Sequence, residues 1–285
     1  MNPPARLVFP IYIPEIFQIR HNRTITIATE KMASRYQLIK LIEGTRFSPT
    51  IRNRKWSSIS ETALSSSPTI TKPNFCKINS ADLANLYQMI DKAFFKSMVD
   101  AHVKSESAKL SFRVSKRMTS SGGITTTRTG SNGKQEFEIA VSSTLLFESF
   151  RDEKPINVTG LMCDNRLQAL LRVMEHEMIH LIEMLLWKDS SCAQIRFKDI
   201  ARRFFGHRQS THQLLAPADT ALSNFGINVG DQVRFRRNDI MLTGFVNRIT
   251  RRATVLVASQ KGTCYSDGQR YLKFYVPLKN LLRVG

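Results

Sequence analysis

Apolar residues change their spacing several times along the chain, and each change predicts a new element. From Ser80 onward, Leu83, Leu86, Ile90 and Phe94 recur at three- and four-residue intervals. That spacing collects side chains on one face of an α-helix, and Ser80 is a suitable cap. "KLSFRVSKR" then alternates through Leu110, Phe112 and Val114, the two-residue period of a strand. "SSGGITTTRTGSNGK" is rich in β-branched residues and ends on an Asn-Gly turn signal, which predicts a hairpin. "EFEIAVS" alternates again through Phe137, Ile139 and Val141. A long helix follows, opened by a capping box of Asn165 and Gln168. Its apolar face runs through Leu167, Leu170, Leu171, Met174, Met178, Leu181 and Leu185. "AQIRFKDIARRFF" predicts a shorter helix, stopped by Gly206.

The pattern changes at each end of this block. From Gly230 it becomes short strands, "DQVRFRR", "TGFVNRI", "ATVLVAS" and "RYLKFYVPL", separated by turn material. Four or five strands in so short a span predict a small all-β barrel over residues 229–285. "APADTALSNFGINVG" marks the boundary, with residues 216–228 as a linker. Residues 1–72 show no sustained period, and "SSISETALSSSPTITKP" has linker composition. They are expected to be largely disordered, with one short helix near 33–43. The predicted class is therefore α+β: a helix, a small antiparallel-type sheet, a long helix and a second helix over 75–215, then the barrel. No apolar run approaches membrane-spanning length, and a membrane partner is not expected.

Hydrophobic residues make up 42% of the 285, enough for a substantial core, while the formal charge is +19 and the pI about 10.2. A balance that basic points to polyanions, nucleic acid foremost. Residues 228–285 carry eleven Lys/Arg against three Asp, a net of +8. Alternation in "VRFRR" places Val233 and Phe235 inside and Arg234 and Arg236 outside. Arg248, Arg251 and Arg252 gather around one turn, and Tyr271, Phe274 and Tyr275 add aromatic surface. Basic groups neutralise phosphate and aromatics stack on exposed bases, so the barrel is expected to tether DNA. A protein-binding or simply solvated face remains the alternative. "RFKDIARRFFGHR" offers a second basic stripe. Residues 1–72 carry eleven Lys/Arg against four Glu, a net of +7; with many Ser and Thr, that composition also resembles an organelle transit sequence. Pro10 and Pro14 interrupt the only early apolar run, which makes a poor signal-peptide core. Cytoplasm is the default location, nucleoid or nucleus if DNA is bound. Met32 is an alternative start. The four cysteines, Cys76, Cys163, Cys192 and Cys264, form no CxxC pair, which excludes a zinc ribbon and argues against a disulfide framework.

"MEHEMIHLIEML", residues 174 to 185, carries the chemistry. Helical residues i and i+4 share a face, so His176 and His180 can both aim a ring nitrogen at one metal ion. Glu177, beside the first histidine, is placed to take a proton from metal-bound water and pass it to a leaving amine. This is the HExxH arrangement of metal-assisted hydrolysis; two incidental surface histidines are the bland alternative. A catalytic zinc site takes three protein ligands. Downstream, the residues able to act as the third are Cys192, Asp199, His207 and His212.

From about Phe75 to Leu215 the chain resembles the SprT-like metalloprotease family, which includes the DNA–protein crosslink protease Spartan. The leading helix "ADLANLYQMIDKAFF", the strand "LSFRVSKR", the glycine-containing "SSGGITTTR", the strand "FEIAVSSTLL", "HEMIH" and "RFKDIARRFFG" follow in the family's order. The resemblance implies zinc ligation by His176 and His180, catalysis by Glu177 and a protein substrate held along "EIAVSS". The family's third ligand is a histidine at the start of the next helix. Here that place reads "SSCAQIRF", which assigns the role to Cys192. Cys192 also reads as a small buried thiol. His207 lies past the second helix, too far to join Cys192 on one ion while that helix is unbroken. A thiolate makes bound water less acidic, so a catalytically degenerate, nucleic-acid-binding member of the family is the second reading. The last segment resembles an SH3-like barrel of the KOW or Tudor kind, which also follows SprT-like domains.

Overall fold

The fold is described from a computed structural model. It covers residues 15–131, 133–151, 154–211, 214, 221–222, 225–250 and 252–284, with side chains from residue 29. Two helices open it, α1 (Glu15–Gly44) and α2 (Pro49–Ser66). Ser48 caps α2 by accepting from the Ile51 amide, and Pro49 follows at the first helical position, where its missing N–H costs nothing. Leu38 and Ile42 from α1, and Ile59 and Ala63 from α2, are buried in the main core. The expected disorder of residues 1–72 is corrected over the described stretch, and the helix expected near 33–43 lies within α1. The apolar residues of these helices are scattered around the helix rather than gathered on one face, so they give no periodic signal. Docking against the core stabilises them instead, as it does most helices in proteins.

Next come α3 (Ser80–Phe95) and α4 (Met98–Ser105). The cap of α3 is Asn79 rather than Ser80: Asn79 and Asp82 exchange side chain-to-amide hydrogen bonds in a capping box. Three strands follow, β1 (Lys109–Ser115), β2 (Gly123–Thr129) and β3 (Gln135–Ser142), in the spatial order β1-β3-β2. The β2–β3 hairpin is antiparallel, as the turn signal predicts, with Thr129 opposite Gln135. β1 runs parallel to β3, which corrects the expectation of an antiparallel-type sheet. The loop over residues 116–122 carries the chain past one strand position, and the hairpin then drops β3 into the gap. Alternation reports which face a side chain takes, not which strand lies beside which.

α5 (Ser143–Ser149), the short hairpin of β4 (Ile156–Val158) and β5 (Leu161–Cys163), α6 (Arg166–Trp187) and α7 (Ile195–Phe205) complete this part. Asn165 caps α6 by accepting from the Gln168 amide; the Gln168 side chain returns to the amide of Asp164, one residue earlier than a strict capping box. Gly206, at φ 76°, ends α7 as predicted. α6 is buried on nearly every side, between the sheet, α3 and α7.

A second core holds the C-terminal strands: β6 (Gln232–Arg237), β7 (Ile240–Ile249), β8 (Ala253–Cys264), β9 (Arg270–Val276) and β10 (Leu282–Arg283). They form one antiparallel sheet in the order β10-β6-β7-β8-β9, with a 3-10 turn at Leu278–Asn280 before the last strand. Val233, Phe235, Val246 and Val255 fill it together with Ala221 and Ile227. Much of the linker expected at 216–228 lies outside the described residues, but these two belong to the second core. Among the described residues no helix is long and apolar enough to cross a membrane.

Candidate metal centre

The site grows from the middle of α6. Its helical repeat brings the rings of His176 and His180 together, with their Nε2 atoms 3.2 Å apart. α6 ends when Lys188 takes a left-handed conformation at φ 59°. This reverses the chain and carries Ser190 and Cys192 back over His180. The Cys192 Sγ and the two imidazoles offer donor atoms that all lie within 4.8 Å of one another. Phe197, from the first turn of α7, lies against both rings at 4.7 and 4.5 Å between centroids.

A chain of hydrogen bonds sits behind His180. Its Nδ1 meets the Ser190 hydroxyl at 2.7 Å, and that hydroxyl donates to Glu183 Oε2 at 2.7 Å. Arg196 Nε donates to Glu183 Oε1 at 2.6 Å, giving the fully buried Glu183 carboxylate a charge partner. With Nδ1 engaged, Nε2 is the nitrogen left for coordination, the arrangement that orients histidine ligands in metal sites. Burial pushes the His180 pKa down to about 4, which keeps the ring neutral and its lone pair available. Tetrahedral zinc with two imidazoles and one thiolate places donor atoms roughly 3.3–3.8 Å apart. The donors here need only small side-chain rotations to reach that spacing, so the residues present fit such an ion.

Glu177 lies against the sheet. Thr125 of β2 donates its hydroxyl to Glu177 Oε2 at 2.8 Å and lies 3.0 Å from the Glu177 carbonyl. Two residues earlier, Gly123 leaves room for the carboxylate: a Cβ built there would lie 2.6 Å from Glu177 Cγ and Oε1. Burial raises the Glu177 pKa to about 7, against the opposing pull of the Thr125 hydrogen bonds. A carboxyl poised near neutrality can both hold and release a proton.

The strand beside Glu177 is therefore β2, not β3. β3 is central and hydrogen-bonded on both sides, so the expectation that "EIAVSS" holds substrate is corrected. The open edge of this sheet next to the motif belongs to β2. Of the other third-ligand residues, His207 is buried elsewhere, bonded through Nε2 to Glu175 at 3.0 Å. Asp199 is held by Arg202 and Arg203, and His212 lies outside the described residues. Sequence reasoning missed Thr125, Gly123 and Ser190, whose partners lie 7 to 54 positions away. Glu183 had a signal, since it stands three residues after His180 on the same helical face.

On the C-terminal sheet, Arg234, Arg236, Arg248 and Arg252 are exposed as expected; Arg251 lies outside the described residues. The aromatic surface is smaller than expected. Phe274 packs on Phe235 and under Arg237, and Tyr271 donates to Asp267. Tyr275 remains 67% exposed. Comparisons with protein-family models, curated proteins and solved structures find no match to this chain.

Proposed function

We propose that this chain is a zinc-dependent endopeptidase of SprT-like type that acts on proteins close to DNA. The observation that carries the reading is the convergence of His176, His180 and Cys192 beside a buried Glu177. His176 and His180 would hold zinc through their Nε2 atoms and Cys192 through Sγ. Zinc bound there supplies a Lewis acid and an acidified water. Thr125 fixes Glu177 by one oxygen, leaving Oε1 over Gly123 to take a proton and return it to the leaving amine. An extended peptide added to the free edge of β2 would pass beside Glu177; recognition through backbone hydrogen bonds suits broad protein specificity. The strand order of the C-terminal sheet and its 3-10 turn support an SH3-like barrel, and its exposed arginines support a DNA tether.

The cysteine standing where the family has histidine favours a second reading, a degenerate nucleic-acid-binding protein on the same scaffold. One set of measurements separates the two. Purified protein should hold one equivalent of zinc and cleave a basic protein faster when DNA is added. Glu177→Gln should keep the zinc and lose the cleavage, and a chelator should remove both. Full zinc occupancy with no cleavage of any basic substrate sinks the enzyme reading and leaves the degenerate one. Zinc content unchanged in Cys192→Ala removes Cys192 from the shell.

A further inference from the structure

A cavity of about 1220 Å³ opens between the corner joining α1 to α2 and the outer side of α7. The α1–α2 corner contributes Arg46, Ser48 and Arg52 to its lining, and α7 with the segment after it contributes Lys198, Arg202 and Arg208. The only carboxylate lining it among the described residues, Asp199, is already bonded to Arg202 at 3.0 Å and Arg203 at 2.7 Å. Arg46, Lys198 and Arg208 are exposed and form no ion pair among the described residues. α2 begins at this rim with no acidic residue in its first turn, so its dipole adds to the positive field. His207, buried in the floor, keeps an Nδ1 with no hydrogen-bond partner among the described residues.

We propose that this cleft binds the phosphodiester backbone of a single nucleic-acid strand. Cations from two separate segments of the chain line one cleft, so successive phosphates of a strand can each find a partner. The volume exceeds that of a pocket for one small ligand (about 300–1,000 Å³), and a lone phosphate would leave most of it empty. The cleft is also coupled to the motif. Phe197, which helps line it, is the ring that packs against His176 and His180. A strand seated here lies one helix away from the metal centre, which gives nucleic acid a physical route to influence it. The inference shares only the nucleic-acid element of the function proposed above, and it places the contact in this cleft in addition to the C-terminal sheet.

The test is fluorescence anisotropy of the full chain with a labelled single-stranded oligonucleotide across a salt series. The variants are Arg46→Gln/Lys198→Gln/Arg208→Gln for the cleft and Arg234→Gln/Arg248→Gln for the C-terminal sheet. Because the cleft residues are exposed, zinc content and the unfolding midpoint should not change and will report any folding defect. The cleft variant is expected to lose at least about tenfold in affinity. Its log–log salt dependence should become shallower by about 2, at about 0.7 per single-strand phosphate contact removed. If the cleft variant binds with wild-type affinity and slope while the sheet variant weakens, the cleft is refuted and the tether survives. No binding by the wild type at low salt refutes both nucleic-acid assignments and leaves the zinc measurements untouched. If inorganic phosphate alone displaces the oligonucleotide from the cleft at micromolar concentration, the site is one for a free phosphate compound and the strand assignment fails.

Discussion

Gly123 is the residue on which the geometry of Glu177 turns. Its backbone approaches the carboxylate so closely that a methyl group would sit 2.6 Å from both Cγ and Oε1. Gly123→Ala should push the carboxylate off Thr125 while leaving the two histidines and Cys192 in place. The expected result is unchanged zinc stoichiometry with proteolysis reduced by about 10²-fold, the cost of misplacing a reacting group by about 1 Å. Equal loss of zinc and activity would show instead that the substitution disturbs the helix. His176, Glu177, His180 and Cys192 were all legible in the sequence, the first three because an i, i+4 spacing projects directly onto one helical face. The supports were not legible. Thr125 reaches Glu177 across 52 positions, and only the strand order brings them together. Ser190 reaches His180 because Lys188 breaks the helix in a left-handed turn, and no local pattern announces that a lysine will do so.

α2 shows why an element without a periodic signal can still be essential. Trp56 of α2 donates its indole N–H to Glu175 at 2.6 Å. Arg172 donates to the same carboxylate at 2.9 Å, and His207 bonds it at 3.0 Å. The Arg172 guanidinium also lies 3.5 Å over the Trp56 ring. One buried carboxylate thus ties α2, the motif-bearing α6 and the segment after α7 together. Burial lowers the Arg172 pKa, with Glu175 opposing it; the guanidinium keeps its proton, so the carboxylate offsets the cost of burying that charge. Glu175→Leu should destabilise the protein by about 3–5 kcal/mol, because it strands a buried cation. Adding Arg172→Met should recover most of that loss, since replacing both ions by apolar groups removes the desolvation cost as well. Urea unfolding midpoints of the two variants decide it: if the double variant is no better than the single, the carboxylate serves Trp56 and His207 rather than Arg172. α3, α6 and α7 were readable because their apolar faces are wide, whereas α4 and α5, of 8 and 7 residues, were not predicted. α1 and α2 contribute few buried side chains, and four of these are Leu38, Ile42, Ile59 and Ala63. Their fold is fixed by partners far along the chain, which no window of local sequence contains.

The two hydrophobic cores share no residue: one extends from Leu38 to Leu214, the other from Ala221 to Leu281. Each contains its own network of apolar contacts, and the hydrophobic effect acts within each according to the area it buries. A chain ending at residue 220 keeps every buried residue of the first core, together with the motif and the cleft. Both tryptophans, Trp56 and Trp187, belong to that part, so tryptophan fluorescence follows the first core alone while circular dichroism follows both. If the cores are energetically independent, the truncated chain should show the same fluorescence midpoint in urea as the full chain, within about 0.5 kcal/mol of stability. It should also keep its zinc. The full chain should show circular dichroism and fluorescence transitions that do not coincide, a departure from two-state behaviour expected of separate folding units. A truncated chain whose fluorescence midpoint falls well below that of the full chain would mean that the C-terminal sheet supports the motif-bearing part directly. In that case its positive surface could not be regarded as a separable tether.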